Sequence, residues 1–232
     1  MKAIINYFLP FCLLVCFFAC DDVNSLHQKY LDRGEILYTG KVDSVQAFAG
    51  NEKVKFTWQI NSDTRIKRTV IYWDNKKNKV EIPVNRTQSG ALQQETVINI
   101  AEGVVIFELL TTDDDGNRSL SVERTVQVYG PKYIVNYLRN RSLSFSFKNN
   151  TLTVDWQIAE SSTIQYTTVQ YTDYSTGSAE PKSVRIANDD MQTTINGILV
   201  NDKFRVITTF LPEGGLETLD ALPDEYVVAA HD

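Results

Sequence analysis

Val54-Lys55-Phe56-Thr57-Trp58-Gln59-Ile60 alternates apolar and polar residues without a break. Successive side chains of an extended chain point to opposite faces, so this stretch reads as a strand with one buried face. Leu152-Thr153-Val154-Asp155-Trp156-Gln157-Ile158 repeats it, with the tryptophan and the following Gln and Ile in register. Ile71 and Trp73 follow Trp58 at the same spacings at which Val169 and Tyr171 follow Trp156. Phe107-Glu108-Leu109-Leu110-Thr111-Thr112 then matches Phe204-Arg205-Val206-Ile207-Thr208-Thr209, displaced by one residue relative to the tryptophans. Self-similarity over this length marks a duplicated structural unit.

Each of the last two segments runs into a turn, Asp113-Asp114-Asp115-Gly116-Asn117 in the first copy and Pro212-Glu213-Gly214-Gly215 in the second. Both have the residues that join antiparallel strands. About seven short strands per copy, with an early core Trp, describe a sandwich. The fold expected is all-β: two tandem immunoglobulin-like (fibronectin type III-like) β-sandwiches, at residues 40–129 and 131–228, preceded by a short helical tether. Tyr129-Gly130-Pro131 marks the boundary, and so short a link predicts limited freedom between the two. The tether spans residues 20–39, with a helix over 24–33 whose Leu26 and Tyr30 share a face and whose stop is Gly34. No further helical pattern is read after Gly40.

The chain's 232 residues are enough for two cores, and 43% hydrophobic with 22% charged residues is ordinary for a globular protein. A formal net charge of −6 disfavours nucleic-acid binding, which needs a basic face to neutralise phosphates.

Residues 1–19 read as an export signal: Lys2 supplies a positive start, and Phe8 to Phe18 form an apolar run too short to span a membrane comfortably. All three cysteines, Cys12, Cys16 and Cys20, lie within or at the end of this segment, so no internal disulfide is expected after cleavage. Phe17-Phe18-Ala19-Cys20 resembles a bacterial lipoprotein signal, with Phe17 where leucine is usual. The membrane partner is therefore expected through a lipid anchor at Cys20, a multi-chain anchor being one that holds stably. Asp21-Asp22 resembles the acidic tract that directs Bacteroidetes lipoproteins to the outer face of the outer membrane.

Catalytic constellations are sparse. The two histidines, His27 and His231, lie in the tether and next to the C-terminus, which leaves a nucleophilic triad or a zinc site on the sandwich body without its imidazole. Among 29 acidic residues chance carboxylate pairs are guaranteed, but glycosidase chemistry also needs a cleft. Asp113 to Asn117 lacks the spaced acids and closing Glu of an EF-hand and reads as a hairpin turn. No enzyme activity, cofactor or metal is expected.

Binding remains. A flat aromatic ring stacks on the apolar face of a pyranose while nearby amides and carboxylates satisfy its hydroxyls. By alternation Trp73 and Tyr171 read as core-side or edge packing, Tyr72 points the other way and Tyr174 lies in the following turn, leaving Tyr72, Tyr166 and Tyr174 as the candidate exposed ligand-binding aromatics. Asp43-Ser44-Val45 resembles a Bacteroidetes O-glycosylation acceptor, and reads equally as the start of the first strand.

Tyr38-Thr39-Gly40-Lys41-Val42-Asp43-Ser44, Arg65 through Trp73, Asp115-Gly116-Asn117-Arg118-Ser119 and Tyr129 through Tyr133 resemble a family of Bacteroidetes lipoproteins built on a domain of unknown function. The resemblance is strongest from Gly34 through Arg141. It implies an outer-membrane, cell-surface setting, often beside glycan-acquisition machinery, and carries over no catalytic residue. The function expected is an accessory binding lipoprotein, with a glycan or an outer-membrane protein of an uptake system as partner. The alternative is a structural or adhesive spacer acting through protein contacts.

Overall fold

The structure, a computed structural model, describes residues 37–86, 90–159 and 161–229. The export signal, Cys20 and the expected tether helix lie outside the described residues.

The alternation around Trp58 becomes β2 (Lys53–Ile60), in which Val54, Phe56, Trp58 and Ile60 are all buried. It pairs with β1 (Val42–Gly50) and β5 (Leu92–Asn99) in a three-stranded antiparallel sheet, ordered β1-β2-β5. Facing it are β3 (Arg68–Trp73), β4 (Asn78–Pro83), β6 (Gly103–Thr112) and β7 (Val122–Val128), ordered β4-β3-β6-β7. Phe56 and Phe107 meet edge to face between the two sheets, with ring centroids 4.9 Å apart. Asp43-Ser44-Val45 lies in β1, where a bulge between Asp43 and Gln46 takes Ser44 to φ 51.

The second copy repeats the topology. Strands β8 (Leu143–Lys148), β9 (Thr151–Trp156) and β12 (Gln192–Asn196) form one sheet, ordered β12-β9-β8. Strands β10 (Ile164–Asp173), β11 (Glu180–Ile186), β13 (Lys203–Phe210) and β14 (Leu219–Asp220) form the other, ordered β11-β10-β13-β14, with β15 (Asp224–Val227) also paired to β13. Three strands against four in the first copy and against five in the second, with the fourth strand of each copy on the outer edge of the larger sheet, is the arrangement of two tandem fibronectin type III-like sandwiches. Separate cores form around Trp58 and around Trp156. As expected from alternation, Trp73 packs against the first core and Tyr171 against the second.

One expectation is corrected. A further helix, α1 (Pro131–Tyr137), follows the Gly-Pro boundary. Seven residues are too few to show a helical period, and Pro131 suits a first helical turn. The start of the helix is secured from far away in sequence: Glu102, between β5 and β6, accepts the Lys132 N–H at 2.8 Å and the Tyr133 N–H at 2.5 Å. Gly130 is required by this close approach, because a Cβ there would lie 2.7 Å from that of Glu102.

The β1–β2 turn and the β13–β14 loop also touch. The Leu216 N–H donates to the Ala49 carbonyl at 2.7 Å, and Glu217 accepts the Asn51 N–H at 2.9 Å while pairing with Lys53 at 2.8 Å. Burial works against the Glu217 charge, but Lys53 and the Asn51 N–H hold its carboxyl below the usual range.

Candidate functional site

Tyr129, Tyr133 and Tyr137 are spaced four residues apart, which on a helical path sets them above one another. They form a continuous stack: Tyr129 and Tyr133 centroids are 4.6 Å apart at 51°, and Tyr133 and Tyr137 are 5.3 Å apart at 28°. Tyr129, at the inner end, packs against the first core and against a small cluster of Leu138, Ile164, Phe210, Leu219 and Ala221. Its burial pushes the phenol pKa up. Tyr133 is half-buried on the same cluster. Tyr137 ends the stack with 72% of its surface exposed.

Beside the stack runs an open groove of about 500 Å³, lined by Tyr133, Tyr137, Gln157, Ile158, Ser161 and Thr163 among others. Its floor is the small cluster's Leu138, Ile164 and Phe210. Ile158 corrects the sequence reading, which pairs it with Ile60 as a core residue. Ile60 is fully buried, whereas β9 stops at Trp156 and Ile158 is 72% exposed. Arg141, buried at 4% exposure, donates from Nε to the Gln157 carbonyl at 2.6 Å, while the Gln157 N–H donates to the Ser142 carbonyl at 2.9 Å. The Gln157–Ser142 bond continues the β8–β9 register for one residue past Trp156, and Ile158 lies beyond it.

The groove's two arginines are already engaged. Arg141 also donates from Nη1 to the Ala187 carbonyl (3.0 Å) and from Nη2 to that of Asp190 (2.8 Å), and its guanidinium lies 5.7 Å from the Trp156 ring centre. Burial pushes its pKa down. Arg139 turns back on the end of α1, donating to the carbonyls of Val135, Leu138 and Asn136. Ser161 and Thr163 share a hydroxyl–hydroxyl bond of 2.7 Å. The polar groups turned to the groove are therefore mainly neutral: hydroxyls, a phenol and the exposed Gln157 amide.

The three expected aromatics are not brought together. Tyr72 lies on β3, paired with Lys79 and Glu108, each of which holds an ion pair, with Glu81 and Lys76 respectively. Tyr166 and Tyr174 sit near opposite ends of β10, about 26 Å apart at the rise of an extended chain. All three are half-buried rather than exposed. Tyr166 has a ring face covered by the Arg185 guanidinium at 3.8 Å. Tyr174 is held in its turn by bonds to the Gly197 carbonyl and the Gly177 N–H. For Tyr166 the covering group comes from the neighbouring strand β11, which alternation along one strand cannot reveal.

The most perturbed acids stabilise turns. Asp63 takes two bonds of 3.0 Å from Arg65 and one of 2.9 Å from the Gly40 N–H, which hold its pKa at about 2. Lys182 foremost, with Ser175, does the same for Asp173, also at about 2. Depressed carboxylate pKa values contribute stability that is complete above the ordinary value of 3.8 and lost as pH falls toward 2. Carbon-detected NMR titration is expected to place both midpoints near 2, with stability falling across that window; midpoints near 3.8 would contradict the turn assignment. Asp113 likewise accepts the Asn117 side-chain amide and the N–H groups of Asp115 and Asn117, as a turn does. Among the described residues no group of three His, Cys, Asp or Glu is arranged to hold a metal. Both histidines lie outside the described residues.

Two tandem sandwiches, each a three-stranded sheet on a larger one, joined by a capped helix define an all-β modular protein of fibronectin type III-like domains. More particularly, the chain belongs to the DUF4998 family, a domain of unknown function whose model matches residues 20–220. No curated protein matches it. Among solved structures, it is similar to a two-domain fibronectin type III segment of chicken tenascin at 15% identity and a TM-score of 0.34, covering 82% of this chain and 99% of that one. It is also similar to the FN1–FN3 domains of chicken CNTN1 at 10% identity and a TM-score of 0.35, covering 83% and 69%.

Proposed function

We propose that this protein is a non-catalytic binding lipoprotein of the bacterial cell surface, anchored through Cys20 to the outer membrane and facing outward. The groove beside α1 is its ligand-contacting surface, and the ligand is a glycan handled by an uptake system. The observation that carries this reading is the tyrosine stack, which fixes an exposed aromatic ring at the rim of a groove with neutral polar walls. Placement rests on the lipoprotein-like Phe17-Phe18-Ala19-Cys20 junction and the acidic pair after it.

The anchor is tested in cells fed an alkynyl fatty acid. The wild-type chain is expected to take up the label and to be cut by protease added outside intact cells, and Cys20→Ala is expected to lose the label. Label on the Cys20→Ala chain, or protection from external protease in the wild type, would count against this placement.

One observation favours the spacer reading. The Glu102 cap on α1 and the Leu216–Ala49 and Glu217–Lys53 contacts tie the sandwiches together, as a rod holding another module away from the membrane requires. The readings separate at Tyr137: a spacer tolerates its replacement, and a binding groove does not.

A further inference from the structure

The stack ends outward at Tyr137, whose only aromatic neighbour among the described residues is Tyr133 and which is exposed, whereas Tyr129 at the inner end packs on apolar side chains of the first core and of the small cluster. We infer that the Tyr137 ring, with Ile158 and the groove's polar wall, is the seat of a pyranose ring in an uncharged glycan. This rests on the binding-protein reading and names its ligand class.

Preorganisation comes first. A surface tyrosine ordinarily loses rotamer freedom when a ligand settles on it, which opposes binding. Tyr137 is already held against Tyr133, which is held against the half-buried Tyr129, so its ring is fixed without a ligand. Fixing a flat, 72% exposed ring in this way suits a ligand with a flat apolar face of its own.

Shape and chemistry narrow the class. A pyranose presents C–H groups on its face and hydroxyls around its perimeter, so it wants an aromatic beneath and neutral donors and acceptors at the side. Tyr137 and Ile158 supply the first; the Gln157 amide and the Ser161 and Thr163 hydroxyls line the same groove and supply the second. About 500 Å³ falls inside the roughly 300–1,000 Å³ of small-ligand pockets.

Charge decides between neutral and acidic sugars. A carboxylate or sulfate would call for a guanidinium presenting two parallel N–H groups. Arg141 is buried with its three nitrogens on backbone carbonyls, and Arg139 is folded onto the end of α1. Neither offers that fork.

The test is calorimetric titration of the chain from Asp21 onward with soluble neutral oligosaccharides of hexoses and pentoses, and with oligogalacturonate as the charged member. Tyr137→Ala, Tyr137→Phe and Ile158→Ser are compared with Tyr72→Ala, each shown by circular dichroism to keep its β-sheet spectrum. At least one neutral oligosaccharide is expected to bind, Tyr137→Ala weakening it about tenfold or more and Tyr137→Phe, which keeps the ring, weakening it less than Tyr137→Ala, while Tyr72→Ala stays within about twofold. Ile158→Ser is expected to weaken it too, which keeps the test alive if Tyr137→Ala does not fold. A neutral glycan bound equally by wild type, Tyr137→Ala and Ile158→Ser would overturn this site and leave glycan capture standing. Binding of oligogalacturonate alone would overturn the neutral class. Association with a protein, or with a second copy of this chain, that depends on Tyr137 without any glycan binding would show a protein-docking face and overturn the inference while a binding role survives. Loss of every interaction would remove both.

Discussion

Trp58→Ala is expected to cost about 3–5 kcal/mol, the range for deleting a large buried aromatic. Trp58 is completely buried at the centre of the first core, and its indole does more than fill space. Nε1 donates to Thr69 Oγ1 at 3.2 Å, which ties β2 in one sheet to β3 in the other. Thr69 is itself fully buried and passes its own proton to Gln94 Oε1 at 3.2 Å. Alanine would leave a cavity and an unpaired hydroxyl acceptor together. Trp58→Phe separates the two effects and is expected to lose about 1 kcal/mol for the bond plus a smaller packing loss. Since whole domains are held by roughly 5–15 kcal/mol, Trp58→Ala should leave the first sandwich close to unfolding at room temperature. Urea denaturation checks this; a midpoint near that of the wild type would contradict the core assignment.

Arg141→Ala is the second large loss, at about 3 kcal/mol or more. Three backbone carbonyls, from Gln157, Ala187 and Asp190, converge on one guanidinium, and removing it strands acceptors that each carry a desolvation penalty of about 1–3 kcal/mol unless water reaches them. The same residue's N–H donates to Thr208 Oγ1 at 2.8 Å, so the entrance to the second sandwich is fixed at this point. Arg141→Lys keeps a charge but replaces a planar fork by one ammonium, and is expected to recover less than half of the loss. For a sandwich of this size, 3 kcal/mol corresponds to a fall in Tm of roughly 12–24 °C. Calorimetry should show that transition moving, and an unmoved Tm would contradict the role given to Arg141.

The strands were legible because one physical rule writes them. A half-buried strand must alternate, and Val54 to Ile60 and Leu152 to Trp156 do so around two buried tryptophans. The duplicated topology was legible for the same reason, down to the matched threonines: Thr39 and Gly40 bond Thr111 where the chain enters the first sandwich, as Asn140 and Arg141 bond Thr208 at the second. What sequence reasoning missed depends on partners distant in the chain. Helix α1 is shorter than any periodic signal and takes its cap from Glu102. Ile158 looks like a core residue, but β9 ends at Trp156 and Ile158 comes to the surface beyond it. Tyr166 looks exposed until Arg185, from the neighbouring β11, lies over its ring. One signal for the groove was present: Tyr129, Tyr133 and Tyr137 stand at helical spacing directly around the Gly-Pro boundary.

The groove lies at the end of the first sandwich away from where the described chain enters it. The described chain enters the first sandwich beside Thr111, at the far end of β6 from Gly103, whereas Glu102 and α1 lie at the opposite end. The nine residues of β1 span about 30 Å at the rise of a strand, so the tyrosine stack stands about one sandwich length from the end at which the described chain enters.

The most direct test of the central claim is a backbone NMR titration of the chain from Asp21 onward with the same neutral oligosaccharides. Binding at the stack predicts saturable shifts concentrated on α1, Gln157, Ile158 and Thr163, with Tyr72, Tyr166 and Tyr174 unmoved. Shifts centred on those three tyrosines, or no shift at any saccharide concentration, would contradict it.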